Sequence, residues 1–183
     1  MSAQEKKIVQ RVPLPWAVAL TVAIALPLGL FLGKFNLPLW VCFIVWAEYF
    51  MLGAKPDTWK IVFPSIAVGG LTAALWMATT VLVTTLTGAH MILGLLIGNF
   101  IWVTALLYVM PRSTTLTTGT LAVFNGLALY LAVYFTGSVP QAGPMDSPYW
   151  VIILAFLWMV VSAYVGWFLG WLNIILTFPK VEG

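Results

Sequence analysis

The chain has 183 residues, 62% of them hydrophobic and 7% charged, with a mean hydropathy of +1.04 and a formal net charge of +3. A soluble domain needs about 25% charged residues to wet its surface, so this composition excludes one and points to an integral membrane protein. The basic residues lie mostly between apolar runs, which argues against a nucleic-acid partner, and the single cysteine, Cys42, excludes an intrachain disulfide and a thiolate metal site.

Six apolar runs are long enough to serve as membrane spans of about 20 residues. The first, 14–33, follows Lys6, Lys7 and Arg11 and has some look of a secretory signal around Ala23–Ala25. Because it continues unbroken through Leu32, it reads as a retained first transmembrane helix. The second run, 37–53, is short and carries a carboxylate, Glu48, within 45-VWAEYFMLG-53. Glu48 stands about 7.5 Å along the helix axis from the end of its span, which leaves two readings. It reaches the interface beside an aromatic belt of Trp46 and Tyr49 and pairs with Lys55 or Lys60, or it faces a filled interior as a proton carrier or gate.

The third run, 61–86, contains Trp76 and ends in threonines that can bond their own helix backbone. The fourth, 90–110, opens on His90, the chain's one histidine, which is either a plain interfacial residue or a sensor of external pH at a pore mouth. Asn99 and Trp102 lie within it. The fifth, 116–136, is entered through 113-STTLTTGT-120 and holds Asn125 near its middle. Consecutive spans joined by a short turn should be antiparallel neighbours, so Asn99 and Asn125 are expected at similar depth, bonded to each other or lining a hydrated path. A polar loop, 137-GSVPQAGPMDSP-148, precedes the sixth run, 149–178.

The distribution of Lys and Arg sets the orientation. With six spans, Lys6, Lys7, Arg11, Lys55, Lys60, Arg112 and Lys180 collect on one side and Lys34 alone on the other, so both termini are expected in the cytoplasm. The whole chain, 1–183, then forms one all-α, polytopic membrane bundle. Small residues recur four apart at Ala25, Gly29 and Gly33, at Gly94 and Gly98, and at Ser162, Gly166 and Gly170. Such spacing lets helix backbones approach closely, either inside one protomer or, for the sixth span above all, across the interface of a homo-oligomer. Two internal similarities compete. The match of 28-LGLFLGKF-35 to 93-LGLLIGNF-100 implies an inverted repeat of three-span units. The match of 49-YFM-51 and 66-IAVGGL-71 to 108-YVM-110 and 121-LAVFNGL-127 implies two hairpins in the same orientation.

No second acid accompanies Glu48 and no phosphate-cradling glycine loop is present, so neither an enzyme nor a cofactor or metal protein is expected. The leading expectation is a small channel or transporter for a small neutral or weakly acidic solute, with Glu48, Asn99 and Asn125 in the path and Trp76 and Trp102 walling it. The alternative is a non-transporting subunit or scaffold that docks onto another membrane protein.

The sequence Trp40-x-x-Phe43 followed by Tyr49-Phe50, together with 59-WKIVFPSIAVG-69, resembles the uncharacterised bacterial inner-membrane proteins of the YcdZ type. That resemblance implies a multi-span protein of the bacterial cytoplasmic membrane and names no substrate. Glu48 belongs to none of these motifs.

Overall fold

The computed structural model describes residues 10–178. Lys6, Lys7 and Lys180, which carry part of the orientation argument, lie outside the described residues. The described chain is all-helical, with α1 Leu14–Leu30, α2 Leu39–Met51, α3 Trp59–Thr87, α4 Met91–Val109, α5 Thr114–Thr118, α6 Thr120–Phe135 and α7 Pro148–Thr177. Each of the six apolar runs forms helix, and the fifth is broken in two. The break falls at Gly119, where a β-carbon would collide with Ser65 Oγ and come within 2.9 Å of Ile61 on α3. The single-turn α5 is thereby held against α3.

Three segments are long and apolar enough to cross a membrane: Pro56–Thr87, Met91–Arg112 and Pro148–Thr177. At 1.5 Å per residue, α3 and α7 reach roughly 43–45 Å, well beyond a hydrocarbon core of about 30 Å. The shorter α1 and α6 reach only about 24–26 Å. Local signals explain the ends. Gly88 closes α3 in the left-handed region (φ 64°), its N–H donating to Thr84 O. His90 caps α4, Nδ1 accepting from the Ile92 N–H at 3.3 Å. Pro148 occupies the first turn of α7, where its missing N–H costs nothing.

The two long helices organise the packing. α3 packs on α6, α4 and α7, and α7 packs on α2, α3, α6 and α1. The arrangement is internally paired. The third helix of each half, α3 or α7, packs on the second helix of the other half, α6 or α2. The first helices follow the same rule, α4 on α3 and α1 on α7. This exchange is what a pseudo-twofold axis between units of three spans would generate, the plan of an inverted repeat. The sequence match that introduced the inverted plan is nevertheless not equivalent in structure. Gly33 sits in a turn after α1 with φ 60°, while Gly98 lies inside α4.

Glycines make both long contacts intimate. A β-carbon on Gly69 of α3 would strike the Val123 carbonyl oxygen of α6, and one on Gly126 of α6 would strike the Ile66 carbonyl of α3. The similar segments 66-IAVGGL-71 and 121-LAVFNGL-127 thus pack on each other. At the other long contact, Gly166 lies against the Cys42 backbone and Gly170 against Tyr49 and Trp46. Gly94 and Gly98 of α4 meet Thr80 and Trp76 of α3, and Gly29 meets the Leu39 side chain. Ser162 is buried, its hydroxyl donating to Trp158 O at 2.7 Å. Of the two readings of the sixth span's small-residue stripe, packing inside one protomer is the one seen at Gly166 and Gly170, which α2 of the same chain covers.

Candidate functional site

The carboxylate of Glu48 is one of the most enclosed polar groups in the bundle, 2% exposed. It lies in the last turn of α2 and is met by Asn125 in the second turn of α6, whose Nδ2 donates to Oε2 at 3.3 Å. Oε1 is buried with no hydrogen-bond partner among the described residues. The pairing of Glu48 with Lys55 or Lys60 is therefore corrected. Lys55 and Lys60 are exposed, and the carboxylate bonds a neutral amide brought from 77 positions away. The expected aromatic belt is corrected as well. Trp46 is 5% exposed and packs with Ala25, Cys42 and Leu169, and Tyr49 is fully buried. The Tyr49 hydroxyl donates to Ala54 O at 2.8 Å, and its ring stands edge-on to Trp167 at 5.5 Å. Phe63 stacks on Tyr164 at 3.8 Å and meets Trp167 edge-on. These four rings join α2, α3 and α7 in an aromatic layer, of which Tyr49 is the chain neighbour of Glu48.

The expected pairing of Asn99 with Asn125 does not occur. α3 packs against both α4 and α6, the glycine contact with α6 claims one of its faces, and Asn99 is exposed on α4. Trp76 and Trp102 are also placed elsewhere than beside Glu48. Trp76 Nε1 donates to Leu95 O at 2.8 Å and Trp102 Nε1 to Thr79 Oγ1 at 2.8 Å, so both clamp α4 to α3. Trp102→Phe should loosen that clamp by about 0.6 kcal/mol, the usual value of an interhelical bond in a bilayer. A denaturation midpoint measured in mixed micelles checks this. His90 is exposed and serves as the helix cap described above.

One buried polar group went unrecognised in the sequence. Asn173 of α7 is fully buried, its Nδ2 donates to Thr21 Oγ1 of α1 at 3.4 Å, and its Oδ1 has no partner among the described residues. The Thr21 hydroxyl in turn donates a hydrogen bond to Ala17 O at 2.8 Å. The signal was an asparagine inside 171-WLNIIL-176, close enough to the end of the last run to pass for an interfacial residue.

Among the clefts on the bundle, two bear on access to this site. One of about 270 Å³ lies where the α1–α2 and α6–α7 connections meet, lined by Lys34, Asn36, Pro38, Ser138 and Gln141 among others. The other, about 250 Å³, is an apolar groove between α3 and α7 lined by Leu71, Ala74, Ile152 and Phe156. Neither is lined by Glu48 or Asn125. No cluster of three metal-ligating side chains occurs among the described residues. What the Glu48–Asn125 pair offers chemically is an acceptor oxygen left free beside an amide able both to donate and to accept.

A family model described as "Protein of unknown function (DUF1097)" matches residues 17–177. The chain belongs to that family. Its match spans all seven helices from the first turn of α1 to the last residue of α7, so Glu48, Asn125 and Asn173 all lie within the family's domain. No curated protein and no solved structure matches the chain.

Proposed function

We propose that this protein is a small channel or transporter that passes a small neutral or weakly acidic solute across the bacterial cytoplasmic membrane, in keeping with its resemblance to the YcdZ-type proteins. In this reading all six helical segments cross the bilayer, with both termini in the cytoplasm, and the Glu48–Asn125 pair stands in the path. The observation that carries the proposal is Glu48 itself, 2% exposed with one oxygen lacking a partner. Ionisable groups inside a membrane are costly, and by default they mark a substrate or proton pathway. The exchanged packing of the two halves supports the same reading, since transporters built from inverted repeats place their sites where the repeats meet. Helices α2 and α6 come one from each half, and the pair joins them. The Asn125 amide is suited to hydrogen-bond a solute carbonyl or hydroxyl, and the near-absence of interior charge disfavours a strongly charged one.

Flux into proteoliposomes, followed by osmotic light scattering over a panel of small amides, polyols and weak acids, tests the proposal. Transport above empty vesicles that falls at least about tenfold in Glu48→Gln, equivalent to 1.4 kcal/mol at the barrier, is the expected result. Equal rates from empty and loaded vesicles across the panel would sink it. That outcome would favour the alternative of a non-transporting membrane subunit.

A further inference from the structure

The outward side of α4 carries a pattern that packing within the chain leaves unused. Gly94 and Gly98 face inward and are buried. Around the helix from them, Ile92, Leu96, Asn99 and the half-buried Val103 recur at spacings of four, three and four, the seam of a two-helix contact, and Leu106, next in the series, is buried within the chain and ends it. Ile92 is 57% and Leu96 63% exposed, and Asn99 is exposed between them and Val103. Asn99 is the ninth residue of the nineteen in α4, about 12 Å from its N-terminal end and about 15 Å from its C-terminal end. In a helix long and apolar enough to span a membrane, that depth is hydrocarbon. Its amide makes no hydrogen bond among the described residues, and lipid tails supply none.

We infer that this seam docks a second copy of the chain, α4 against α4, with the two Asn99 amides bonded to each other. The occupant is chosen by the chemistry and by symmetry. A carboxamide is self-complementary, since each offers the donor and the acceptor that the other needs. A twofold axis along the bilayer normal brings the same residue of two copies to the same depth, as an isologous interface requires. That axis makes the helices parallel, and the 4–3–4 spacing sets a shallow crossing of about +20°. A polar residue at one seam position fixes register and subunit number in such pairs. The glycines of α4 take no part, because α3 already fills them.

Cross-linking in native membranes tests the interface. In a Cys42→Ala background, which removes the chain's one thiol, Asn99→Cys should oxidise to a dimer of twice the monomer mass. Leu20→Cys, at an exposed position on α1, should remain monomeric. In lipid nanodiscs Asn99→Leu should weaken self-association about 3- to 15-fold, the range measured for interhelical hydrogen bonds in bilayers. Asn99→Gln should retain most of it, which separates loss of the amide bond from loss of folding. A dimer band no stronger at Asn99→Cys than at Leu20→Cys would overturn the inference. So would a cross-linked product of another mass, which would assign the seam to a different membrane protein, or an unchanged association constant in Asn99→Leu.

Discussion

Gly69→Ala and Gly126→Ala should each destabilise the bundle strongly, as should Gly166→Ala, whose β-carbon would meet the Cys42 carbonyl. At Gly69 and Gly126 the new β-carbon would meet a carbonyl oxygen of the facing helix rather than a side chain that can turn away. Relief requires α3 and α6 to move apart along their whole contact, which also pulls the groups around Ile66, Val123 and Leu127 out of register. Overpacking of this kind costs about 1–3 kcal/mol in well-packed cores, and the rigid backbone on both sides places these sites near the upper figure. Gly70→Ala is the control. Its β-carbon would meet the terminal methyl of Met159, the end of a flexible side chain. Unfolding midpoints in mixed micelles should order the variants with Gly70→Ala closest to wild type. Equal losses at Gly69 and Gly70 would show that α3 and α6 are not held this closely.

Asn125→Leu should cost about 2–3 kcal/mol, because it leaves Glu48 buried with neither carboxylate oxygen bonded among the described residues. Glu48→Leu alone strands only the amide of Asn125, which is partly exposed and recovers part of its hydrogen bonding. Replacing both partners removes the unsatisfied groups together, so the double variant should be more stable than Asn125→Leu by about 1 kcal/mol or more. The same micelle unfolding assay completes this double-mutant cycle. Additive losses would mean that the two side chains do not share a bond in the bilayer. Because stability is read here and flux in the transport assay, a real Glu48–Asn125 contact is separable from a role in permeation.

The pairing also shows what was legible beforehand. Glu48 stood out in the sequence as an isolated acid in an apolar run, and Asn125 as an amide near the middle of another. That they meet was not legible. The expectation that Asn125 would meet Asn99 rested on a rule of chain neighbours, spans four and five joined by a short turn. Two glycines, Gly69 and Gly126, defeat that rule by drawing α6 onto α3, while Trp76 and Trp102 bind α4 to α3 through bonds to Leu95 O and Thr79. Trp46 and Tyr49 misled for a related reason. Aromatic residues near a span end look the same in sequence whether they face headgroups or a glycine such as Gly170.

Composition and patterning alone marked the chain as an all-helical membrane protein and located its apolar helices, though not the break at Gly119. In lipid every backbone group must be bonded within its own segment, so composition and turn residues suffice to place helices. Which helix faces which was decided only by the tertiary structure. Between apolar helices there is little hydrophobic drive to choose a neighbour. The choice falls to close fits such as Gly166 on Cys42 and to single polar bonds such as Asn173 to Thr21 and Asn125 to Glu48. Their partners lie far apart in the chain, and no local pattern reports them.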